Sequence, residues 1–181
     1  PKDPSSICSN NVLKLYEDKG GSIWIGTLKG GLSLYAKNGK FENFKPIAND
    51  PLSLPSSSVS SILGAPDSKL WLGFQDEIGS INLFDIASRR IIKSFNNPYT
   101  SCLPCLLTKD NKNPNVLWFA SFGQGSLFKL NTISGKFTQY KHVPGDISSV
   151  SNENTFSILQ DGNILWIGTG GDGLTKFNKK T

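Results

Sequence analysis

The sequence predicts an all-β fold, a β-propeller segment of about four four-stranded antiparallel blades with the last blade incomplete. All four tryptophans recur at a nearly constant spacing. Short runs of branched and aromatic residues alternate with turns rich in Gly, Asn, Asp and Pro, which is typical of strands and hairpins. Amphipathic helical periodicity is nearly absent. Four-stranded units that repeat every 40–50 residues or so are typical of propeller blades.

The tryptophan repeat is the strongest of these signals. It reads "SIWIGTLKGGLSLY", "KLWLGFQDEIGSINLF", "VLWFASFGQGSLFKL" and "ILWIGTGGDGLTKF". The spacings are 47, 47 and 48 residues between Trp24, Trp71, Trp118 and Trp166. We expect each indole to fill the gap between neighbouring blades, since such a ring buries on the order of 150–250 Å². The glycine two residues after most of these tryptophans would let a neighbouring backbone approach.

Each repeat divides into predicted strands. In the first repeat they are "VLKLYE" (12–17), "SIWIGT" (22–27), "GLSLYA" (31–36) and "KFENFKP" (40–46), and Asn38-Gly39 is a strong hairpin signal. The second repeat gives 59–64, 70–74, 80–85 and 90–95, and the third gives 103–108, 116–121, 126–131 and 136–142. The fourth gives only 155–160, 164–169 and 173–178. The chain is thus predicted to be a single propeller segment, 1–181, with blades at approximately 11–46, 58–96, 102–142 and 153–178.

Composition excludes several function classes. The chain has 181 residues and a net charge of +5, but its lysines are scattered rather than clustered, which argues against nucleic-acid binding. No apolar run approaches the roughly 20 residues that span a membrane, so a membrane contact would come only through segments outside this chain. Cys102 and Cys105 have C-x-x-C spacing without a second pair, and we interpret them as core cysteines rather than zinc ligands.

Candidate catalytic and metal residues are few. His142 is the single histidine and has no carboxylate nearby in sequence. "GTGGDG" (168–173) lacks the alternating ligands of a calcium loop and the Lys-Ser/Thr of a phosphate loop, so a tight turn is the preferred interpretation. We therefore expect no catalytic residue, no metal and no cofactor in this chain.

Ligand binding is the remaining class. The loops between second and third strands emerge on the same propeller face as the connections between blades, and loops on a rigid scaffold often carry binding residues. The connections place Asp50, Asn97, Asp146 and Asn152 on that face. Polar and aromatic side chains of this kind suit a sugar. The candidate ligand-binding residues are Lys29, Gln75, Asp76, Gln124, Asp172 and Tyr99.

The segments "IWIGTLKGGLSLY" and "SSVSSILGAPDSKLWLGF" resemble the two-component-regulator propeller repeat, and the resemblance extends over essentially the whole chain. In that family the repeats build large propellers in the extracytoplasmic part of bacterial hybrid sensor kinases, many of which detect glycan breakdown products. The resemblance implies a periplasmic or exterior-facing sensory domain of an inner-membrane receptor. The histidine kinase would lie outside this segment, and an oligosaccharide would be the ligand.

Two alternatives belong to other classes. A propeller lyase similar to streptogramin lyase would need a histidine and acidic residues at the axis with magnesium, and a non-catalytic scaffold would need only protein contacts. Three and three-quarter blades would also leave apolar blade faces and strand edges open. We therefore expect other blades or a second copy of the chain to cover them, whether the segment belongs to a larger ring or self-associates.

Overall fold

The computed structural model describes residues 3, 5–75, 79–99, 103–122, 127–152 and 154–180. This part of the chain forms fifteen strands in four antiparallel sheets and contains no helix, so it also has no helix that could cross a membrane. Three sheets have four strands and the last has three. The predicted fold class, four propeller blades with the last incomplete, is confirmed.

Each sheet is a simple meander in which consecutive strands pair. Blade 1 contains β1 (Val12–Glu17), β2 (Ile23–Thr27), β3 (Gly31–Tyr35) and β4 (Phe41–Phe44). Blade 2 contains β5 (Val59–Ala65), β6 (Lys69–Phe74), β7 (Ile81–Asp85) and β8 (Arg90–Phe95). Blade 3 contains β9 (Leu103–Lys109), β10 (Val116–Phe122), β11 (Leu127–Asn131) and β12 (Phe137–Tyr140). Blade 4 contains β13 (Thr155–Asp161), β14 (Ile164–Thr169) and β15 (Leu174–Asn178).

The chain divides into two compact units, each built from two blades. Unit 1 comprises Pro1–Asp76 and Ser80–Asn96, and unit 2 comprises Glu77–Gly79 and Asn97–Thr181. Blades 1 and 2 therefore form unit 1, and blades 3 and 4 form unit 2.

A tryptophan lies between the two blades of each unit. In unit 1 the fully buried Trp24 contacts Phe84 of blade 2 edge-on, at 5.6 Å between ring centroids. In unit 2 the buried Trp118 contacts Phe177 of blade 4 in the same way, at 5.9 Å. Both indoles fill the space between sheets, as the repeat predicts.

The glycine after Trp24 has the predicted role. A Cβ atom on Gly26 would lie 2.6 Å from the carbonyl oxygen of Val59, the first residue of blade 2. Real Cβ atoms do not approach an oxygen so closely, so a side chain here would push the two blades apart.

The first strand of every blade contains a bulge at the same place. The pairing with the second strand shifts just before Lys14, Ser61, Leu106 and Ser157, which lie opposite Gly26, Gly73, Ala120 and Gly168. A bulge bends the strand and increases its twist, which aids the close approach of neighbouring blades.

An aliphatic or aromatic residue anchors each inter-blade connection, five positions before the residue that pairs just ahead of the bulge (Val59, Pro104 or Thr155). Leu54 and Val150 occupy this position before blades 2 and 4, and both are buried in their unit cores. Before blade 3 it is Tyr99, five positions ahead of Pro104, which is paired with Ser121. The connections are therefore fixed to the blades and present their remaining side chains in defined places.

Candidate functional site

The blades of each unit have two ends, which carry different loops. At one end lie the loop between the second and third strands and the connection from the preceding blade, and we call this the loop end. At the other end lie the turns within the first and last hairpins, and we call this the hairpin end.

At the loop end of unit 1, two of the predicted binding residues come together. The backbone N–H of Lys29 donates to Oγ of Ser58 at 3.2 Å, and the backbone N–H of Gln75 donates to the carbonyl oxygen of Ser58 at 2.9 Å. The Lys29 side chain is exposed and that of Gln75 is half-buried. Ser58 therefore joins two neighbouring loops and leaves an ammonium and an amide on the surface.

At the loop end of unit 2, Asp172 is held by the connection. Nδ2 of Asn152 donates to Oδ2 of Asp172 at 2.5 Å, while Oδ1 of Asn152 accepts the backbone N–H of Asn154 at 2.8 Å. Asp172 itself is exposed. The structure thus brings a predicted loop residue and a predicted connection residue into direct contact.

Tyr99 has a packing role. Its half-buried ring contacts Phe128 at 5.6 Å between centroids, at the position that Leu54 and Val150 occupy in the other connections. Asp76 and Gln124 lie outside the described residues. For all three, a part in ligand binding stays a prediction.

Three connection residues are engaged by the protein itself. Asp50 accepts a hydrogen bond from the guanidinium of Arg90, which lowers the pKa of that carboxyl. Asp146 accepts hydrogen bonds from the hydroxyl and the backbone N–H of Ser148. Asn97 is buried. These side chains stabilise the connections. Polar side chains that stay at least partly exposed include Lys29 and Gln75 at the loop end of unit 1, and Asn152 and Asp172 at the loop end of unit 2.

The hairpin end carries a feature that the sequence did not indicate. In unit 2, Oδ2 of Asp110 accepts the indole N–H of Trp118 at 2.7 Å and the ammonium of Lys179 at 2.9 Å. Oδ1 of Asp110 accepts the backbone N–H groups of Lys112 and Asn113. Burial raises the pKa of Asp110, but the bonds from Trp118 and Lys179, followed by the backbone bonds, outweigh it and lower that pKa to about 2.

The ion pair belongs to a network that joins blades 3 and 4. The side chains of Lys179 and Asp110 are only 7% and 9% exposed. Lys179 also donates to Oδ1 of Asn111 at 2.7 Å and approaches Oε1 of Gln160 at 3.4 Å. Lys112 donates to Oδ1 of Asn163 at 2.7 Å across the same gap. The hairpin end of unit 2 is therefore closed by side chains from both blades.

Unit 1 keeps the aspartate–indole bond but leaves the gap open. Oδ2 of Asp18 accepts the indole N–H of Trp24 at 2.9 Å, and Oδ1 accepts the backbone N–H groups of Gly20 and Ser22. Beside it lies a cavity of about 380 Å³ between the first hairpins of blades 1 and 2. We call this cavity the unit 1 hairpin cleft, and its walls include Tyr16, Asp18, Ser22, Ser68, Leu70 and Ile86.

Within the described ranges of the chain, no three His, Cys, Asp or Glu side chains are placed to hold a metal ion together. A ring nitrogen of His142, Nδ1, lies 2.8 Å from the carbonyl oxygen of Val150, so the histidine ties β12 to the connection that follows it.

Comparison with known proteins agrees with the predicted repeat and fold. Residues 6–29 match the two component regulator propeller family. The extracellular domain of BT3049 from B. thetaiotaomicron, assigned as a hybrid two component system, superposes with a TM-score of 0.79 at 23% identity, over 98% of this chain and 23% of that one. The extracellular domain of BT4673 from the same organism, likewise assigned, gives 0.74 at 20% identity, over 96% and 22%.

The chain thus spans about a quarter of the length of these structures. A comparison with curated proteins finds no match. Both of these solved structures are extracellular domains.

Proposed function

We propose that this chain is part of the extracytoplasmic sensory propeller of a hybrid two-component receptor and that its loop ends contribute to binding a glycan-derived ligand. The observation that carries the proposal is the two component regulator propeller match at residues 6–29, together with a fold shared with extracellular domains of hybrid two-component systems. The segment acts as a ligand-binding element rather than a catalyst, and the kinase lies elsewhere in the parent protein.

The chemistry of the loop ends supports a sugar ligand. The side chains of Lys29 and Gln75 supply an ammonium and an amide group, and the Asn152–Asp172 pair supplies amide and carboxylate groups. Sugar hydroxyls both donate and accept, so mixed donor and acceptor surfaces on fixed loops suit them. The bonds of Ser58 and Asn152 to neighbouring backbone N–H groups hold the loops that carry these groups in place before a ligand arrives, which lowers the ordering cost of binding.

Titration of the isotopically labelled chain with a panel of oligosaccharides, followed by NMR, tests this proposal. We expect saturable shifts at residues 28–30, 58, 75, 152 and 170–173. Lys29→Ala and Asp172→Asn should weaken binding, whereas Lys40→Ala, an exposed lysine at the hairpin end, should leave it unchanged. Absence of binding by every oligosaccharide, or an equal effect of Lys40→Ala, would contradict the glycan assignment.

The open face of blade 4 supports the expected partner. Trp166 is half-buried there, and Leu159 and Leu174 beside it are 69% and 64% exposed, whereas Trp24 and Trp118 are covered by a following blade. Exposed apolar patches of this kind mark interaction surfaces. We propose that another blade covers this face, and that a second copy of the chain does so when the segment is alone.

Sedimentation velocity tests the self-association. The wild-type chain should form a dimer whose dissociation constant increases when Leu159 or Leu174 is changed to Glu. Ile133→Glu is the control, because Ile133 is equally exposed but lies in the β11–β12 turn. A monomer at all concentrations would show that no second copy covers the face.

A further inference from the structure

We infer that the unit 1 hairpin cleft is a binding site for a ligand that carries a primary alkylammonium group, with the carboxylate of Asp18 as its acceptor. The site lies at the hairpin end, opposite the loop end to which the glycan is assigned. The evidence is that the equivalent place in unit 2 is occupied by the protein's own ammonium group, that of Lys179.

Backbone pairing establishes the equivalence of the two places. Ile86 follows β7 and its N–H donates to the carbonyl oxygen of Ser68, and Lys179 follows β15 and its N–H donates to that of Asn163. Ile86 in unit 1 therefore stands where Lys179 stands in unit 2. Gly64 and Gln160 are equivalent in the same way. Gly64 pairs with Leu70 and Gln160 pairs with Leu165, and each of these leucines directly precedes the tryptophan of its strand.

Unit 1 lacks the ammonium that fills the gap in unit 2. It has Ile86 in place of Lys179, and its turn "DKGG" is shorter than "DNKNPN" in unit 2. Gly64 stands in place of Gln160, but the Tyr16 hydroxyl covers that position. The cleft of about 380 Å³ is the space that remains. A volume of that size lies in the range of small-molecule sites.

Asp18 has the free acceptor capacity that an ammonium needs. Each carboxylate oxygen can accept two hydrogen bonds. Oδ2 of Asp110 accepts both an indole N–H and an ammonium, whereas among the described residues Oδ2 of Asp18 accepts only the indole N–H of Trp24. Of the other charged groups that line the cleft, Asp67 and Lys69 pair with each other at 3.7 Å and Lys19 is exposed.

The remaining walls fit an alkylammonium better than a bare ion. The half-buried Tyr16 and Ile86 offer apolar surface for a carbon stem, as stems of lysine side chains pack on apolar groups elsewhere in proteins. Ser22 and Ser68 add hydroxyl oxygens for the other N–H donors. Lys179 satisfies its three donors in a similar way, with Asp110, Asn111 and Gln160.

The indole N–H signals of Trp24 and Trp118 provide matched reporters within the chain. We expect n-butylammonium chloride to shift the Trp24 signal saturably at constant ionic strength and to leave the Trp118 signal unchanged, because Lys179 already occupies that site. n-Butanol has the same stem without the charge and should shift neither. An unmoved Trp24 signal, an equal response to n-butanol, or equal responses of both indoles would overturn the proposal.

Two substitutions test whether an ammonium group of the protein decides which unit has an open site. Ile86→Lys should fill the cleft from within and weaken n-butylammonium binding about tenfold or more, since it removes access to a charge-assisted hydrogen bond, whereas Ile86→Met should not. Lys179→Ala should open the gap in unit 2, so that the Trp118 signal now responds to the amine. Unchanged affinity in Ile86→Lys would overturn the proposal. Because the Trp24 signal reports on unit 1, this test holds even if Lys179→Ala destabilises unit 2.

Discussion

In units 1 and 2 the two blades pack against each other through different side chains. In both, a tryptophan lies between two blades and its indole N–H donates to the aspartate that begins the turn of the first hairpin. In unit 1 the hydroxyl of Tyr16 packs against Gly64. In unit 2, at the same two positions, Nε2 of Gln160 donates to Oγ1 of Thr108 at 3.0 Å.

Comparison of the two interfaces shows which residues of the repeat can vary together. In unit 1 the large Tyr16 on one blade faces Gly64 on the next, whereas in unit 2 the smaller Thr108 faces Gln160. The combined side-chain volume is therefore similar at both interfaces, although the residues differ. Repeat proteins allow this because each repeat contacts only its neighbours. The indole and its aspartate are common to both interfaces, whereas the contacts around them are local to each.

The difference predicts that unit 2 depends far more on a single charge than unit 1 does. Lys179→Met leaves the Asp110 carboxylate buried without its cation, which should cost about 3 kcal/mol of the free energy of unfolding, as breaking buried pairs does. Hydrogen exchange of the β13–β15 amides measures this loss. Lys180→Met, an exposed neighbour, is the control and should change nothing. A loss as small as that of the control would mean that the ion pair does not stabilise unit 2.

The same carboxylate predicts an acid-sensitive unit. Because the pKa of Asp110 is lowered from 3.8 to about 2, its contribution is fully present above about pH 4 and is lost as the pH falls through the folded value. The shift corresponds to about 2 kcal/mol of the free energy of unfolding. Urea unfolding at pH 5 and pH 2 or so, read through the Trp118 indole signal, measures it. The loss should be absent in Asp110→Asn. If the free energy of unfolding of that variant still falls between the two pH values, the effect belongs to other titrating groups.

Packing at Tyr16 and Gly64 should give a smaller effect, confined to unit 1. A Cβ atom on Gly64 would collide with the Tyr16 hydroxyl and its ring carbon, so Gly64→Ala should cost about 1–2 kcal/mol of the free energy of unfolding. Adding Tyr16→Thr, the residue type of unit 2, removes the collision, so the double variant should lose less stability than the two single losses added together. Chemical denaturation of the single and double variants forms the cycle, and purely additive losses would show that the two side chains do not meet.

The sequence predicted the features that repeat and missed those that differ between repeats. The tryptophan spacing and the turn residues were sufficient for the blades because every repeat carries them. The aspartate–indole bond gave no periodic signal, since Asp18 precedes its tryptophan by six residues and Asp110 by eight. Lys179 and Ile86 occupy equivalent positions with opposite chemistry, so only the backbone pairing relates them. At the loop end, Ser58 joins Lys29 and Gln75 through backbone groups, which side-chain patterns cannot indicate.

The smallest predicted effect concerns Arg89, the cationic side chain that lies near Trp24 in unit 1. The guanidinium of Arg89 lies 5.7 Å from the centroid of Trp24 and pairs with Glu42 at 3.2 Å, but the two side chains are 37% and 48% exposed. Water screens such a pair, so Arg89→Gln should cost only about 0.5–1 kcal/mol of the free energy of unfolding, and less in high salt. Lys129→Gln, which removes the cation 5.5 Å from the Trp118 ring, is the matched variant in unit 2. Denaturant unfolding of both should give similar small losses. If Arg89→Gln instead costs as much as Lys179→Met, charge holds both units equally and the contrast between them fails.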